Sequence, residues 1–101
     1  MLKVFYSCRV YLKDGIISVM EIVFKKSAFE HKITEAAIRE AFDNPCYDGP
    51  IEDNGNKNRF IRLGFDNSGN LLELMYNEYK DHLCIFHAMR CRSIFFNLIE
   101  Y

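Results

Sequence analysis

Arg59, Arg62, Glu73, His87, Arg90 and Arg92, with His31 upstream, are the side chains of this 101-residue sequence suited to chemistry on a phosphodiester. Arginine presents paired N–H donors that hold a phosphate and stabilise the charge developing on it. A carboxylate or a neutral imidazole can take the proton from an RNA 2′-hydroxyl. Arg59 and Arg62 are therefore the candidates for phosphate binding and charge stabilisation, and Glu73 or His87 for the proton acceptor. His31, Arg90 and Arg92 are candidates for further contacts with RNA. Each also has a plainer reading. Arg62 and Glu73 would form a cross-strand ion pair on a solvated face, worth under about 1 kcal/mol. His87 lies in Leu83-Cys84-Ile85-Phe86-His87-Ala88-Met89, apolar at both parities, and would then be a hydrogen-bonded core histidine. Arg90 and Arg92 would be solubilising charges.

The sequence offers little else to a chemist. Gly49, Gly55, Gly64 and Gly69 are too scattered to cradle a phosphate. The four cysteines, Cys8, Cys46, Cys84 and Cys91, form no CxxC pair and no Cys/His metal spacing, so buried free thiols in a reducing compartment are expected. No carboxylate cluster suits a divalent ion, so neither metal nor cofactor is expected. A net charge of -1 argues neither for a nucleic-acid binder nor against one, though attachment to long RNA or DNA by electrostatics alone normally calls for a more basic chain. Lys3, Arg9 and Lys13 interrupt the N-terminal apolar residues, and no stretch approaches transmembrane length. The expectation is a cytoplasmic protein with no membrane partner.

The elements that must position these residues follow from pattern and turn chemistry. With half its residues hydrophobic and 15% aromatic, the chain predicts one domain, 1–101, with a self-sufficient core. Residues 1–24 read as a β-hairpin around Asp14-Gly15, a type I′ turn that sets Leu12 against Ile17, Val10 against Val19 and Tyr6 against Val23. Residues 27–44 hold two short helices. Ser27 and Glu30 fit a capping box for the first, and Thr34 caps the second, with Ile33 and Ile38 placed as a staple. Ile38, Ala41 and Phe42 form its buried stripe, and Asn44-Pro45 ends it.

Residues 46–58, rich in Gly, Pro, Asn and Asp, predict a long loop. Residues 59–89 predict three antiparallel strands, the first two joined at Ser68-Gly69 so that Phe65 meets Leu72, Leu63 meets Leu74 and Ile61 meets Tyr76. That register puts Arg62 and Glu73 together on the outer face. A slip of one residue would bury Glu73 among Leu63 and Ile61, so the unslipped register is preferred. His87 reaches the outer face only if the turn through Lys80-Asp81-His82 has odd length. Ile94, Phe95, Leu98 and Ile99 predict an amphipathic helix over residues 90–101. The fold expected is α+β: an antiparallel sheet, N-terminal hairpin plus three-stranded meander, packed by short helices on one face.

The run HKITEAAIREAFDNPCYD, then RFIRLGFDNSGNLLELMY, then LCIFHAMRCR, resembles the BrnT-like toxins of bacterial type II toxin-antitoxin systems. That family's pattern has a Lys-His-Gly-like helix end, a helix of "this-Glu-Glu-Ala" type stopped by Asp-Pro, and an Arg-x-x-x-x-Gly strand. A Gly-containing turn, a Leu-Leu-x-Val-x-Tyr-like strand and an Ile-Ser-Ala-Arg-like strand end follow. The matching residues here are Glu30-His31-Lys32, Glu35 to Phe42, Asn44-Pro45, Arg59 to Gly64, Gly69 to Tyr76 and Ile85 to Met89. The resemblance implies a RelE-like fold, a metal-independent ribonuclease that stops translation, and a cognate antitoxin as protein partner, through which any oligomer would form. It places Arg59 at the strand arginine and His31 at the helix-end histidine. His87-Ala88-Met89 stands where the pattern reads Ser-Ala-Arg, so the pattern's arginine is absent at 89 and Arg90 and Arg92 are the nearest. A non-catalytic protein-interaction module, using an open sheet edge or the 46–58 segment, is the competing expectation.

Overall fold

The computed structural model describes residues 2–13, 16–51, 55 and 57–99, with side chains from residue 21 onward. Its strands are β1 (Leu2–Lys13), β2 (Ile16–Lys25), β3 (Pro45–Pro50), β4 (Arg59–Phe65), β5 (Leu71–Glu78) and β6 (His82–Arg90). One α-helix, α1 (Glu35–Asp43), and two 3-10 turns, Lys26–Phe29 and Ser93–Leu98, complete an α+β chain. The strands form one sheet in the order β1-β2-β6-β5-β4-β3.

β1 and β2 pair with Leu12 opposite Ile17 and Val10 opposite Val19, as the alternation predicts. A register shift between Phe5 and Cys8 then brings Val4, not Tyr6, opposite Val23. The Asp14-Gly15 turn lies outside the described residues. The hairpin joins the meander through β2 and β6, which run parallel from Glu21↔His82 to Phe24↔Ile85. The sheet is therefore mixed, where an antiparallel one was expected. A parallel pair needs a long crossover, and α1 with three intervening strands supplies it.

Three further expectations change. The segment predicted as a loop over 46–58 begins with a strand, β3, antiparallel to β4 with Tyr47↔Leu63, Asp48↔Arg62 and Gly49↔Ile61. Its prolines and glycine disguise it, yet an edge strand needs hydrogen bonds on one side only and tolerates them. The Ser27 capping box does not form: the cap of the Lys26–Phe29 turn makes no side-chain bond, and Ser27 Oγ donates instead to the Phe86 carbonyl at 2.6 Å. The expected C-terminal amphipathic helix is, among the described residues, a short 3-10 helix over Ser93–Leu98. β6 continues to Arg90, and the Ser93–Leu98 turn that follows buries none of its residues.

α1 matches its prediction. Thr34 caps it by accepting from the Ala37 amide at 3.1 Å, and Asp43 is its last residue. Ile38, Ala41 and Phe42 pack on Leu72, Leu74 and Tyr76 of β5, Ile22 and Phe24 of β2, and Leu83, Ile85 and Ala88 of β6, with Ile33 against the same cluster. The helix lies close on β4: a Cβ on Gly64 would overlap the Ala41 carbonyl oxygen, so only glycine fits there.

The register of β4 on β5 sets everything at the site. Leu63 lies opposite Glu73, Arg62 opposite Leu74 and Phe65 opposite Leu71, the slipped alternative rather than the preferred one. Asp66 is the cause. Its carboxylate accepts from the amides of Ser68 at 3.0 Å and Asn70 at 2.8 Å, and from the Asn70 side chain at 3.0 Å. The Asp66 amide also donates to the Asn70 carbonyl at 3.0 Å. Such a side-chain-closed turn spans Asp66 to Asn70, an odd number of residues, so every β5 side chain changes face.

Candidate active site

The slipped register turns Arg62 and Glu73 to opposite faces of the sheet. Arg62 points under α1. Its Nη1 donates to the Phe42 carbonyl at 2.7 Å, its Nη2 pairs with Asp48 Oδ2 at 2.6 Å, and its guanidinium lies 3.9 Å from the Phe42 ring centre. Tyr76 donates its hydroxyl to the same Asp48 carboxylate, 2.7 Å from Oδ2. Burial, then the Asp48 hydrogen bond and charge, hold the Tyr76 phenol well above its ordinary pKa. The expected Arg62–Glu73 surface pair does not exist, and Arg62 is committed to packing.

Glu73 is completely buried. Arg92 meets it from the residues after β6. The Arg92 amide donates to Oε1 at 2.9 Å, Nε to Oε1 at 3.1 Å and Nη2 to Oε2 at 2.7 Å. His87 adds a further contact, Nε2 to Oε2 at 3.0 Å. Burial pushes the Glu73 carboxyl up, but the Arg92 side-chain and backbone bonds and the His87 bond outweigh it, and the net shift is downward. An ionised Glu73 accepts from His87 Nε2–H, which leaves the lone pair of the neutral ring on Nδ1. The hydrogen bond from Arg92 to Glu73, and the Glu73 charge, raise the Arg92 pKa. Arg92 is thus chiefly the carboxylate's partner, although its side chain stays 46% exposed.

His87 reaches Glu73 by a route different from the one expected. The turn from β5 to β6 is even: Tyr79 donates its amide to the His82 carbonyl at 2.9 Å, and Glu78 lies opposite Leu83. The register then shifts between Met75 and Tyr76, leaving Phe86 unpaired, with Tyr76 opposite Ile85 and Met75 opposite His87. This bulge moves His87 from the core side to the face of Glu73 and Met75. The Ser27 hydroxyl braces it at the Phe86 carbonyl.

His31 follows the Lys26–Phe29 turn, with Lys32 beyond it at φ 62 in the left-handed region. Its ring meets His87 edge-on, with centroids 5.4 Å apart. His31 is exposed and His87 is half-buried. The fold thus gathers His31, Glu73, His87 and Arg92, and puts Arg62 and Arg90 on the other face. Arg59 shares the Glu73 face by parity and stacks over Phe86 at 5.1 Å, one residue from His87. Arg90 lies opposite Leu72, on the other face, near enough to Asp66 to help lower its pKa after the Asn70 and Ser68 bonds.

Asp48, which fixes Arg62, is not singled out by the sequence, and Tyr76 stands there only as a strand residue facing Ile61. Asp66 is not singled out either, although Asp66-Asn67-Ser68-Gly69-Asn70 carries the Asx-turn signature. Of the cysteines with described side chains, Cys84 is buried, but Cys46 is exposed and Cys91 half-buried, so burial holds for one of them. Among the described residues no three His, Cys, Asp or Glu side chains are arranged to hold a metal ion, and no helix is long and apolar enough to cross a membrane. Comparison with protein-family models, with curated proteins and with solved structures finds no match.

Proposed function

We propose that this chain is the toxin of a bacterial toxin-antitoxin pair, a cytoplasmic, metal-independent ribonuclease of BrnT-like, RelE-like type. The contact carrying this reading is the one between His87 Nε2 and the buried Glu73 carboxylate, beside a second histidine, His31. In this reading His87 takes the 2′-hydroxyl proton through Nδ1 and the 2′-oxygen attacks the adjacent phosphorus. His31 gives a proton to the departing 5′-oxygen, and a 2′,3′-cyclic phosphate remains. Glu73 fixes the His87 tautomer without touching substrate, the role of an orienting carboxylate. Arg92, by its exposed side, and Arg59, beside the bulge, meet the phosphates. Lys32 supports the resemblance: it stands where the family pattern has glycine and adopts a left-handed backbone. The partners proposed are RNA and a cognate antitoxin.

The test is cleavage of RNA in the presence of EDTA. Products ending in cyclic phosphate, with DNA left intact, are expected. His87→Gln and His31→Gln should each stay folded at the assay temperature and lose roughly 100-fold or more in rate. RNA left whole by the parent, or cleaved equally by both variants, removes the proposal. In cells, expression should arrest growth, and the product of a small adjacent gene should relieve it.

A second reading has its own observation. Ile94 and Phe96 project from the Ser93–Leu98 turn at 66% and 48% exposure, and β3 is an edge strand of the sheet among the described residues, as a non-catalytic interaction module would need. Harmless overexpression together with RNA left whole favours it.

A further inference from the structure

The far end of β5 from the histidines carries a separate hollow. Lys57, Asn58 and Phe60 at the start of β4 line it with Glu78, Tyr79 and Lys80 at the end of β5, around about 510 Å³ of open space. Glu73 and Glu78 are five residues apart on the strand, about 17 Å. The two sites therefore do not share a side chain.

Its walls are aromatic and held in place. Tyr79 lies flat on His82, with ring centroids 4.6 Å apart and planes 20° apart, and His82 is fixed in turn by Asp81, 2.8 Å from Nδ1. The Asn77 side chain reaches the Tyr79 hydroxyl at 3.5 Å. Phe60 stacks on the buried Tyr76 at 5.5 Å and 19°. Tyr79 nevertheless remains 43% exposed, so a rigid ring backed by a second ring presents surface to solvent. The charges lining the hollow are the ammonium groups of Lys57 and Lys80 against the carboxylate of Glu78.

We infer that this hollow binds a nucleotide, with the base against Tyr79 and Phe60 and the phosphate at Lys57 and Lys80. Every base has a π-face, and a preformed aromatic platform beside cations is how proteins take single-stranded nucleic acid without reading its sequence. Asn58 and Glu78 offer polar atoms to a base edge. The ligand chemistry, an aromatic base carrying a phosphate, is common to a free nucleotide and to a nucleotide within an RNA strand. Binding here does not rest on cleavage by the histidines.

The experiment is a titration of the full chain, followed by the backbone amide resonances of Asn58, Tyr79 and Lys80. The probes are AMP, adenosine, inorganic phosphate and a tetra-adenylate whose 2′-O-methyl groups prevent cleavage. AMP should shift these amides at lower concentration than adenosine or phosphate alone. Tyr79→Ala should weaken AMP by about fivefold or more. Tyr79→Leu, which keeps apolar bulk, serves if the alanine variant unfolds, and should weaken AMP likewise. Replacing Lys57 and Lys80 by glutamine should remove the advantage of AMP over adenosine. Tetra-adenylate binding far tighter than AMP identifies the source as single-stranded RNA, and equal binding a free nucleotide; both support the site. Unmoved amides, or a Tyr79→Leu variant that binds AMP like the parent, overturn it.

Discussion

Glu73 stands directly across from Leu63 in the β4–β5 ladder, with its carboxylate wholly out of water. A lone carboxylate there would be prohibitive, but the Arg92 amide, the Arg92 guanidinium and the His87 ring surround it with donors. Glu73→Gln should therefore destabilise the fold by about 1–3 kcal/mol, unlike a change in a surface pair. Arg92→Ala should also destabilise it, by stranding the carboxylate. Urea denaturation measures both, and unchanged midpoints would show that this cluster does not hold β5 to the chain beyond β6.

Acid should act through the same carboxylate. The folded state lowers the Glu73 pKa, so between the folded and unfolded values the unfolded chain binds the extra proton. The stabilisation is complete above the ordinary carboxyl value, about 4.3. It is lost as the pH falls below that value through the folded one. Denaturation midpoints measured down this range should fall less steeply in Glu73→Gln than in the parent.

Tyr76 should respond at the opposite end of the scale. Its folded pKa is raised, so its contribution is whole below the ordinary phenol value, about 10, and declines as the pH rises beyond it. Tyr76→Phe should flatten that alkaline decline. Midpoints that fall equally in variant and parent would assign the decline to other groups.

Arg62 separates structure from chemistry. Arg62→Ala should cost about 2 kcal/mol, because it removes charged hydrogen bonds to Asp48 and to the Phe42 carbonyl. Arg62→Lys should not restore it, since an ammonium lacks the flat, forked guanidinium that lies on Phe42. Cleavage per folded molecule should be unchanged in both. A specific loss of rate at parental stability would return Arg62 to the active site.

Ser27 tests the bulge. Its hydroxyl holds the Phe86 carbonyl, so Ser27→Ala should cost about 1 kcal/mol and displace the His87 ring resonances. Resonances that stay in place would mean the bulge is set by the strand pairing alone.

Local chemistry was readable without the fold. Thr34 sits before a helix whose apolar residues recur on one stripe, and Asn44-Pro45 can only end it, so α1 and its buried face follow from neighbours in sequence. The three strands of the meander and the α+β class were legible for the same reason. Parity was not. Each strand's faces depend on whether a turn holds an odd or even number of residues and on whether a bulge interrupts pairing, and one residue exchanges in for out. Asp66 closing an odd turn and Phe86 standing unpaired decided that Glu73 and His87 meet while Arg62 goes under the helix. The preference against a buried carboxylate failed because Arg92, 19 residues away in sequence, neutralises it. Pairing of β2 with β6, and of β3 with β4, likewise depended on partners distant along the chain. The sequence determined which groups were available and which segments were regular; long-range pairing chose which groups share a face.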